Sequence, residues 1–229
     1  MTLENRVAII SGATGVTGKL AAMQLAEQGA SLALLGTDQP RLNELTRELN
    51  LPEERILTHV ADLTVPDAVT GAAAAVEAKF GRADILLHLV GGWTGGKSLI
   101  ETPREELQTM LNQHLWTSFH LTQAFLPAFI RNGWGRVIVI SSPQAVKPSA
   151  KMGAYAIAKA AQETLMLTLA EEAAADGVTA NILQVRAIDA KHTGKGTSPE
   201  TLVKAILTLC DDKAAVTNGA RIQLMGAAQ

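Results

Sequence analysis

Short apolar runs alternate along the chain with longer amphipathic segments rich in Ala and Leu. The runs are Arg6–Ile10, Ser31–Leu35, Ile56–Val60, Asp84–Val90, Arg136–Ser141, Val178–Gln184 and Arg221–Met225. They have strand length and end at turn residues, so they predict β-strands. The segments between them, from Thr17–Gln28 through to Pro199–Asp211, place apolar residues at helical spacing. Repeated strand–helix–strand alternation predicts a doubly wound α/β fold, a seven-stranded parallel sheet with helices on both faces, because parallel neighbours need a crossover between them. No Pro/Ser-rich linker, charge block or solenoid-period repeat divides the 229 residues, which predicts one domain over 1–229. In such sheets ligands sit beyond the C-terminal ends of the strands, so the residues just after each strand are the place to look for chemistry.

Composition narrows the classes of partner. Hydrophobic residues make up 47% of the chain and the net charge is −2. That is enough apolar material for a sizeable core, with no electrostatic excess to draw a nucleic acid or an anionic membrane. No apolar stretch approaches the ~20 residues needed to span a bilayer, and the segment Met1–Arg6 lacks the character of a signal peptide. A cytoplasmic protein acting on small molecules is expected. Cys210 is the single cysteine, and together with His59 and His120 it shows no metal-ligand spacing, so no metal is expected.

Two glycine-rich loops follow strands. Ser11-Gly12-Ala13-Thr14-Gly15-Val16-Thr17-Gly18 leads from the first strand into a helix. Glycines there let the backbone turn sharply and approach a pyrophosphate, which the free N–H groups and positive dipole end of the helix favour. Plain structural punctuation is the alternative. The second loop, Gly91-Gly92-Trp93-Thr94-Gly95-Gly96-Lys97-Ser98, matches the triphosphate pattern G-x-x-x-x-G-K-[ST]. A working loop of that kind runs straight into a helix. Here Thr102 as capping residue, Pro103 at the first helical position and a nearby glutamate predict a helix starting only near residue 103. The second loop therefore reads as a flexible loop at the site, with ATP binding as the competing reading.

Tyr155 is the only tyrosine, and Lys159 follows four residues later in an Ala-rich helical stretch, which places both side chains on one face. A nearby ammonium lowers a phenol's pKa and makes proton exchange with an alcohol or carbonyl feasible. Ser142, just after the fifth strand, is placed to hydrogen-bond a substrate oxygen. In order and spacing, the glycine loop, Asp62 after the third strand, Ile140-Ser141-Ser142 and Tyr155-x-x-x-Lys159 resemble the short-chain dehydrogenase/reductase family, over nearly the whole chain. The resemblance implies a Rossmann-type NAD(P)-binding domain and hydride transfer between nicotinamide and a carbonyl or alcohol. It makes Tyr155 the acid/base, has Lys159 bind the ribose and lower the Tyr pKa, and has Ser142 orient the substrate. It further implies cofactor contacts from Gly12, Thr14, Gly15, Val16, Thr17, Gly18, Gly36, Thr37, Asp62, Leu63, Gly91, Tyr155, Lys159 and Ile188. For Asp62, capping the turn after its strand is the alternative to an adenine contact. A homodimer or homotetramer is implied through the helices around residues 103–131 and 153–175.

Several positions depart from the family pattern. Its usual Asn, which connects the lysine to a water chain, falls at His114, a side chain expected to titrate near neutrality and either alter the relay or fill a helix kink. The usual Asn-Asn-Ala-Gly reads His88-Leu89-Val90-Gly91, and the usual Pro-Gly reads Val185-Arg186. Gly36 stands where an NAD-selecting acid is normal, which favours NADP. Against that, Asp38 is placed to receive ribose hydroxyls, and Arg41 is expected to lie too far along its helix to meet a 2′-phosphate. Arg186 is a candidate partner for an anionic substrate or a cofactor phosphate, and Lys191–Gly196 reads as a solvated connection. These departures leave a second function open: a dinucleotide-binding regulatory or scaffold protein with impaired turnover.

Overall fold

The computed structural model describes residues 2–225; the outermost positions of the 1–229 domain expectation, Met1 and 226–229, lie outside the described residues. Seven strands form one parallel sheet: β1 (Val7–Ser11), β2 (Ser31–Gly36), β3 (Ile56–Val60), β4 (Ile85–His88), β5 (Gly135–Ser141), β6 (Val178–Gln184) and β7 (Arg221–Gln223). Their spatial order is β3-β2-β1-β4-β5-β6-β7. All seven predicted strands are present, with ends moved by a few residues. The chain reverses direction of travel between β3 and β4, which flank the β2-β1 pair, and this opens a crevice above the C-terminal ends of β1 and β4.

Both faces of the sheet are covered, which explains why the strands read as continuous apolar runs. Along β1, Val7 and Ile9 enter one core with Val69 and Val76 of α3 (Pro66–Phe80), Phe125 and Phe129 of α5 (Thr117–Asn132) and Met166 of α6 (Gly153–Glu172). Ala8 and Ile10 enter the other, with Leu25 of α1 (Val16–Glu27), Leu42 and Leu45 of α2 (Gln39–Leu49) and Ile206 of α7 (Pro199–Cys210). At roughly 1.5–3 kcal/mol for each large side chain fully buried, these two layers hold the strand ends in place.

Local chemistry sets the helix ends that matter. Asp38 caps α2 by accepting from the Arg41 amide at 3.1 Å, and Ser198 caps α7 through the Thr201 amide at 3.3 Å. The predicted start near residue 103 is one residue early. The helix α4 (Arg104–Leu111) has Pro103 as its N-cap, and the Thr102 hydroxyl donates to the Ser98 carbonyl at 2.8 Å instead of capping. A π-helical turn, Asn112–Trp116, joins α4 to α5. The kink expected at His114 is this turn, whose wider winding brings the imidazole into the interior.

Candidate active site

The glycine loop after β1 is a tight turn in which the backbone packs closely. Gly12 has φ +74°, and a Cβ there would press on the Leu89 and Val90 backbone at 3.1 Å. A Cβ on Gly18 would collide with the Gly12 carbonyl oxygen, so this glycine lets α1 pack tightly beneath the loop. Gly15 is the N-cap of α1 and supplies no side-chain cap, and no acidic residue occupies the first turn. The helix end therefore keeps its N–H groups and positive dipole for an outside anion.

A cleft of about 190 Å³ adjoins this loop, lined by Gly12, Thr14, Gly36, Thr37, Asp62, Leu63, Val90, Gln113 and Thr117. Six of the expected cofactor residues meet here. Asp62 accepts from the Thr64 amide at 2.9 Å and from its hydroxyl at 2.6 Å, and these bonds hold its carboxyl below the usual range. It thus makes the turn-capping bonds while also lining the cleft. Arg41 lies close to the glycine loop: its guanidinium folds back and donates to the Thr14 carbonyl at 2.9 Å. The approach of the glycine loop to α2 brings the two together.

Val90 also borders a second cavity of about 860 Å³, lined by Gly91, Trp93, His114, Ser142, Lys147, Met152, Tyr155, Lys159, Arg186 and Ile188 among others. Ser142, Tyr155 and Lys159 are brought to one cavity, with Gly91 and Ile188 beside them. Gly15, Val16, Thr17 and Gly18 line neither space. Thr17 and Gly18 are buried under the loop, and Val16 is exposed at the start of α1. The polar connection after β6 holds together through Asp189, whose carboxylate accepts from the Thr193 and Gly194 amides at 2.9 and 2.6 Å.

Electrostatics in the cavity differ from expectation in two places. The Lys159 ammonium sits 6.0 Å from the Tyr155 ring centroid and donates to the Ile140 carbonyl at 2.7 Å and to Gln162 Oε1 at 2.9 Å. Burial pushes the Tyr155 phenol up, with a hydrogen bond involving Ser142 pulling it back, and pushes Lys159 down to about 7, with Glu163 opposing. His114 does not titrate near neutrality. Burial, then the neighbouring Lys159, press it to about 3. Its Nε2 donates to the Gly92 carbonyl at 3.0 Å, which leaves Nδ1 as a buried lone pair with no protein partner. The ring stands edge-on to Tyr155, with centroids 5.6 Å apart.

His88, which replaces the usual amide, is fully enclosed and pressed to about 3 mainly by burial. The Thr117 hydroxyl donates to the Gln113 carbonyl at 2.8 Å, so His88 Nε2 must donate to Thr117 Oγ1 at 2.9 Å. Nδ1 is then the acceptor for Ser11 Oγ at 2.7 Å. This neutral imidazole ties the end of β1 to the start of α5.

The second glycine loop lacks the form of a triphosphate site. It does not enter a helix at Lys97-Ser98; Lys97 pairs with Glu106 at 2.7 Å and Ser98 Oγ donates to Glu101 at 2.5 Å. Sequence reasoning missed Gln113, Gln162 and Lys147. Gln113 and Gln162 carry no motif, and Lys147 reaches the cavity only because the turn Pro143–Ala145 carries it there.

A parallel sheet of this order, with Ser, Tyr and Lys converging above its strand ends, is the arrangement of an oxidoreductase acting on CH–OH and C=O groups. Residues 6–201 match the family model described as short chain dehydrogenase, and the chain belongs to that family. It is 34% identical to D-beta-hydroxybutyrate dehydrogenase of Rhizobium meliloti over 178 residues, 77% of this chain and 69% of that protein. Identity to the (2S)-[(R)-hydroxy(phenyl)methyl]succinyl-CoA dehydrogenase subunit BbsD of Thauera aromatica is 28%, covering 99% of this chain and 97% of that one. Among solved structures, a short-chain type dehydrogenase/reductase from Mycobacterium ulcerans superposes with TM-score 0.90 at 22% identity, covering 99% of this chain and 90% of that one. Among the described residues no helix is long and apolar enough to cross a membrane.

Proposed function

We propose that residues 1–229 form one NAD(P)-binding domain that interconverts a carbonyl compound and its alcohol, with Tyr155 as acid/base. The observation that carries this reading is the convergence of Tyr155, Ser142 and Lys159 on one cavity that meets the glycine-loop cleft at Val90. Gly12, Thr14 and the start of α1 would hold the diphosphate, Asp62 and Leu63 the adenine end, and Lys159, Gly91 and Ile188 the nicotinamide end. Bound there, a nicotinamide dinucleotide supplies or accepts the hydride. In reduction, Tyr155 gives its phenolic proton to the carbonyl oxygen, and Ser142 donates a hydrogen bond to that same oxygen. In the reverse direction Tyr155 takes the hydroxyl proton. The free donor of the Lys159 ammonium would hold the ribose, and its positive charge would favour the phenolate while the proton is away.

NADP is the proposed preference. Gly36 brings no carboxylate to the end of β2, and the Arg41 guanidinium already lies over the glycine loop at Thr14. Asp38 spends one oxygen on its helix cap. Replacing Arg41 with alanine is expected to weaken NADPH about tenfold and leave NADH nearly unchanged, since only the 2′-phosphate needs the cation. Equal losses for both would reject this role. The exposed Trp116, Ile130 and Ile157 on the π-turn, α5 and α6 support a homodimer or homotetramer through those helices.

The reading is tested by fluorescence titration with NADPH, NADH and ATP. Saturable binding of a dinucleotide and none of ATP is the expected outcome. Failure to bind either dinucleotide would refute the proposal, and tight binding without hydride transfer to any carbonyl would favour the regulatory alternative.

A further inference from the structure

Lys159 is buried in the wall of the second cavity. Its ammonium is buried, and two of its three donors are taken by the Ile140 carbonyl at 2.7 Å and Gln162 Oε1 at 2.9 Å. Gln162, also fully buried, follows three residues later on α6 and so shares the face of Lys159. Its Nε2 donates to Ser118 Oγ at 2.8 Å, and the Ser118 hydroxyl donates to the His114 carbonyl at 2.6 Å. Every direction along this line is forced. An ammonium only donates, a carbonyl only accepts, and Ser118 has one proton to give.

We propose that Gln162 is a positioning residue for the catalytic lysine, a side-chain strut that holds the ammonium in its charged form and locks it to the π-turn bearing His114. The line Lys159–Gln162–Ser118–His114 is built from protein atoms throughout. An amide in its middle does not pass protons readily, so the line acts as a brace and not as a relay. It leaves Lys159 one free donor with a fixed direction. It also couples the lysine to the turn whose imidazole stands against Tyr155. This inference rests on the reading of Lys159 as part of the active site.

The charged and titratable groups around the ammonium make the prediction specific. On α6 these are Tyr155 and Glu163, the latter buried and paired with Arg221 of β7 at 2.6 Å. From the π-turn comes His114 and from β4 comes His88, both neutral over the working range. Glu163 is the negative charge among these groups and favours the protonated ammonium; the Gln162 carbonyl adds a direct hydrogen bond at 2.9 Å that only the charged form makes in full.

The test follows the Lys159 Cε resonance through a pH titration in protein carrying carbon-13 lysine, assigned by its absence in Lys159→Met. Wild type is expected to titrate near 7. Gln162→Leu, similar in size but without the acceptor, should move the midpoint down by about one pH unit, and Gln162→Glu should move it up by a similar amount. NADPH affinity at pH 8 should fall in the first variant and hold or rise in the second. A role in packing alone would lower thermal stability in both without opposite midpoint shifts. Coincident midpoints in wild type and either folded variant would overturn the proposal. Failure of wild type to bind any dinucleotide would instead strike the functional reading, since the resonance reports on the lysine without cofactor.

Discussion

Replacing Tyr155 with phenylalanine is expected to lower single-turnover hydride transfer by about 10²–10⁴-fold, the usual contribution of a positioned acid/base, while NADPH affinity changes less than about twofold. The ring keeps its edge contact with His114 and its place on the cavity wall; only the proton carrier is lost. The pH dependence follows from the environment of the phenol. Burial holds the Tyr155 pKa above its ordinary 10.0, so the free protein near neutrality carries the protonated acid that carbonyl reduction needs. Alcohol oxidation needs the phenolate and is expected to accelerate as pH rises above neutrality. Stopped-flow measurement of both directions checks this, and a Phe variant that transfers hydride at the wild-type rate would remove Tyr155 from the chemistry.

Lys159→Met should cost more broadly. Losing the ammonium removes both the donor for the ribose and the positive charge that favours the phenolate. NADPH affinity is expected to fall by about tenfold or more, and hydride transfer by about 10²-fold or more. A stability signature accompanies the loss. Burial depresses the folded-state value of Lys159 from 10.5 to about 7. Between those two values the unfolded chain therefore binds a proton that the folded chain lacks, and folding is increasingly favoured as pH rises through the window. Thermal melts should show wild type gaining on the Met variant as pH goes from 7 toward 10. Below pH 7 both forms of the wild-type chain carry the proton, and the difference should level off. Melting curves that stay parallel across the window would show that the lysine is not desolvated in the folded protein.

The order of the elements was legible because strands buried on both faces are mostly apolar; β6 buries Asn181 in its middle with its amide bonded to the Thr217 carbonyl and the Ala220 amide. β1 and β6 are buried along their whole length, and an apolar run between glycine-bearing turns announces that condition in one dimension. Tyr155 and Lys159 were legible for a similar reason, since four residues on a helix bring two side chains to one face regardless of the rest of the fold. Gly12, Gly15 and Gly18 were legible because tight turning and close helix packing exclude a Cβ, and the collision a side chain at Gly18 would make with the Gly12 carbonyl bears that out.

What the sequence could not determine depends on groups far apart in the chain. That Arg41 reaches Thr14 is a property of how the glycine loop turns against α2. Whether a histidine titrates near neutrality depends on how much water its site admits and on which donors surround it. His88 and His114 look ordinary in sequence, yet burial keeps both uncharged, and the bonds to Thr117 and to Gly92 then assign their protons. Lys159 was expected to lower the Tyr155 pKa by proximity; Ile140 from β5 and Gln162 from α6 take two of its donors, and burial leaves the free protein's phenol raised. Local spacing determined which residues share a face, since that follows from backbone geometry within a few residues. Only the tertiary structure decided their charge and partners, because solvation and hydrogen bonding are set by whatever the rest of the chain packs against them.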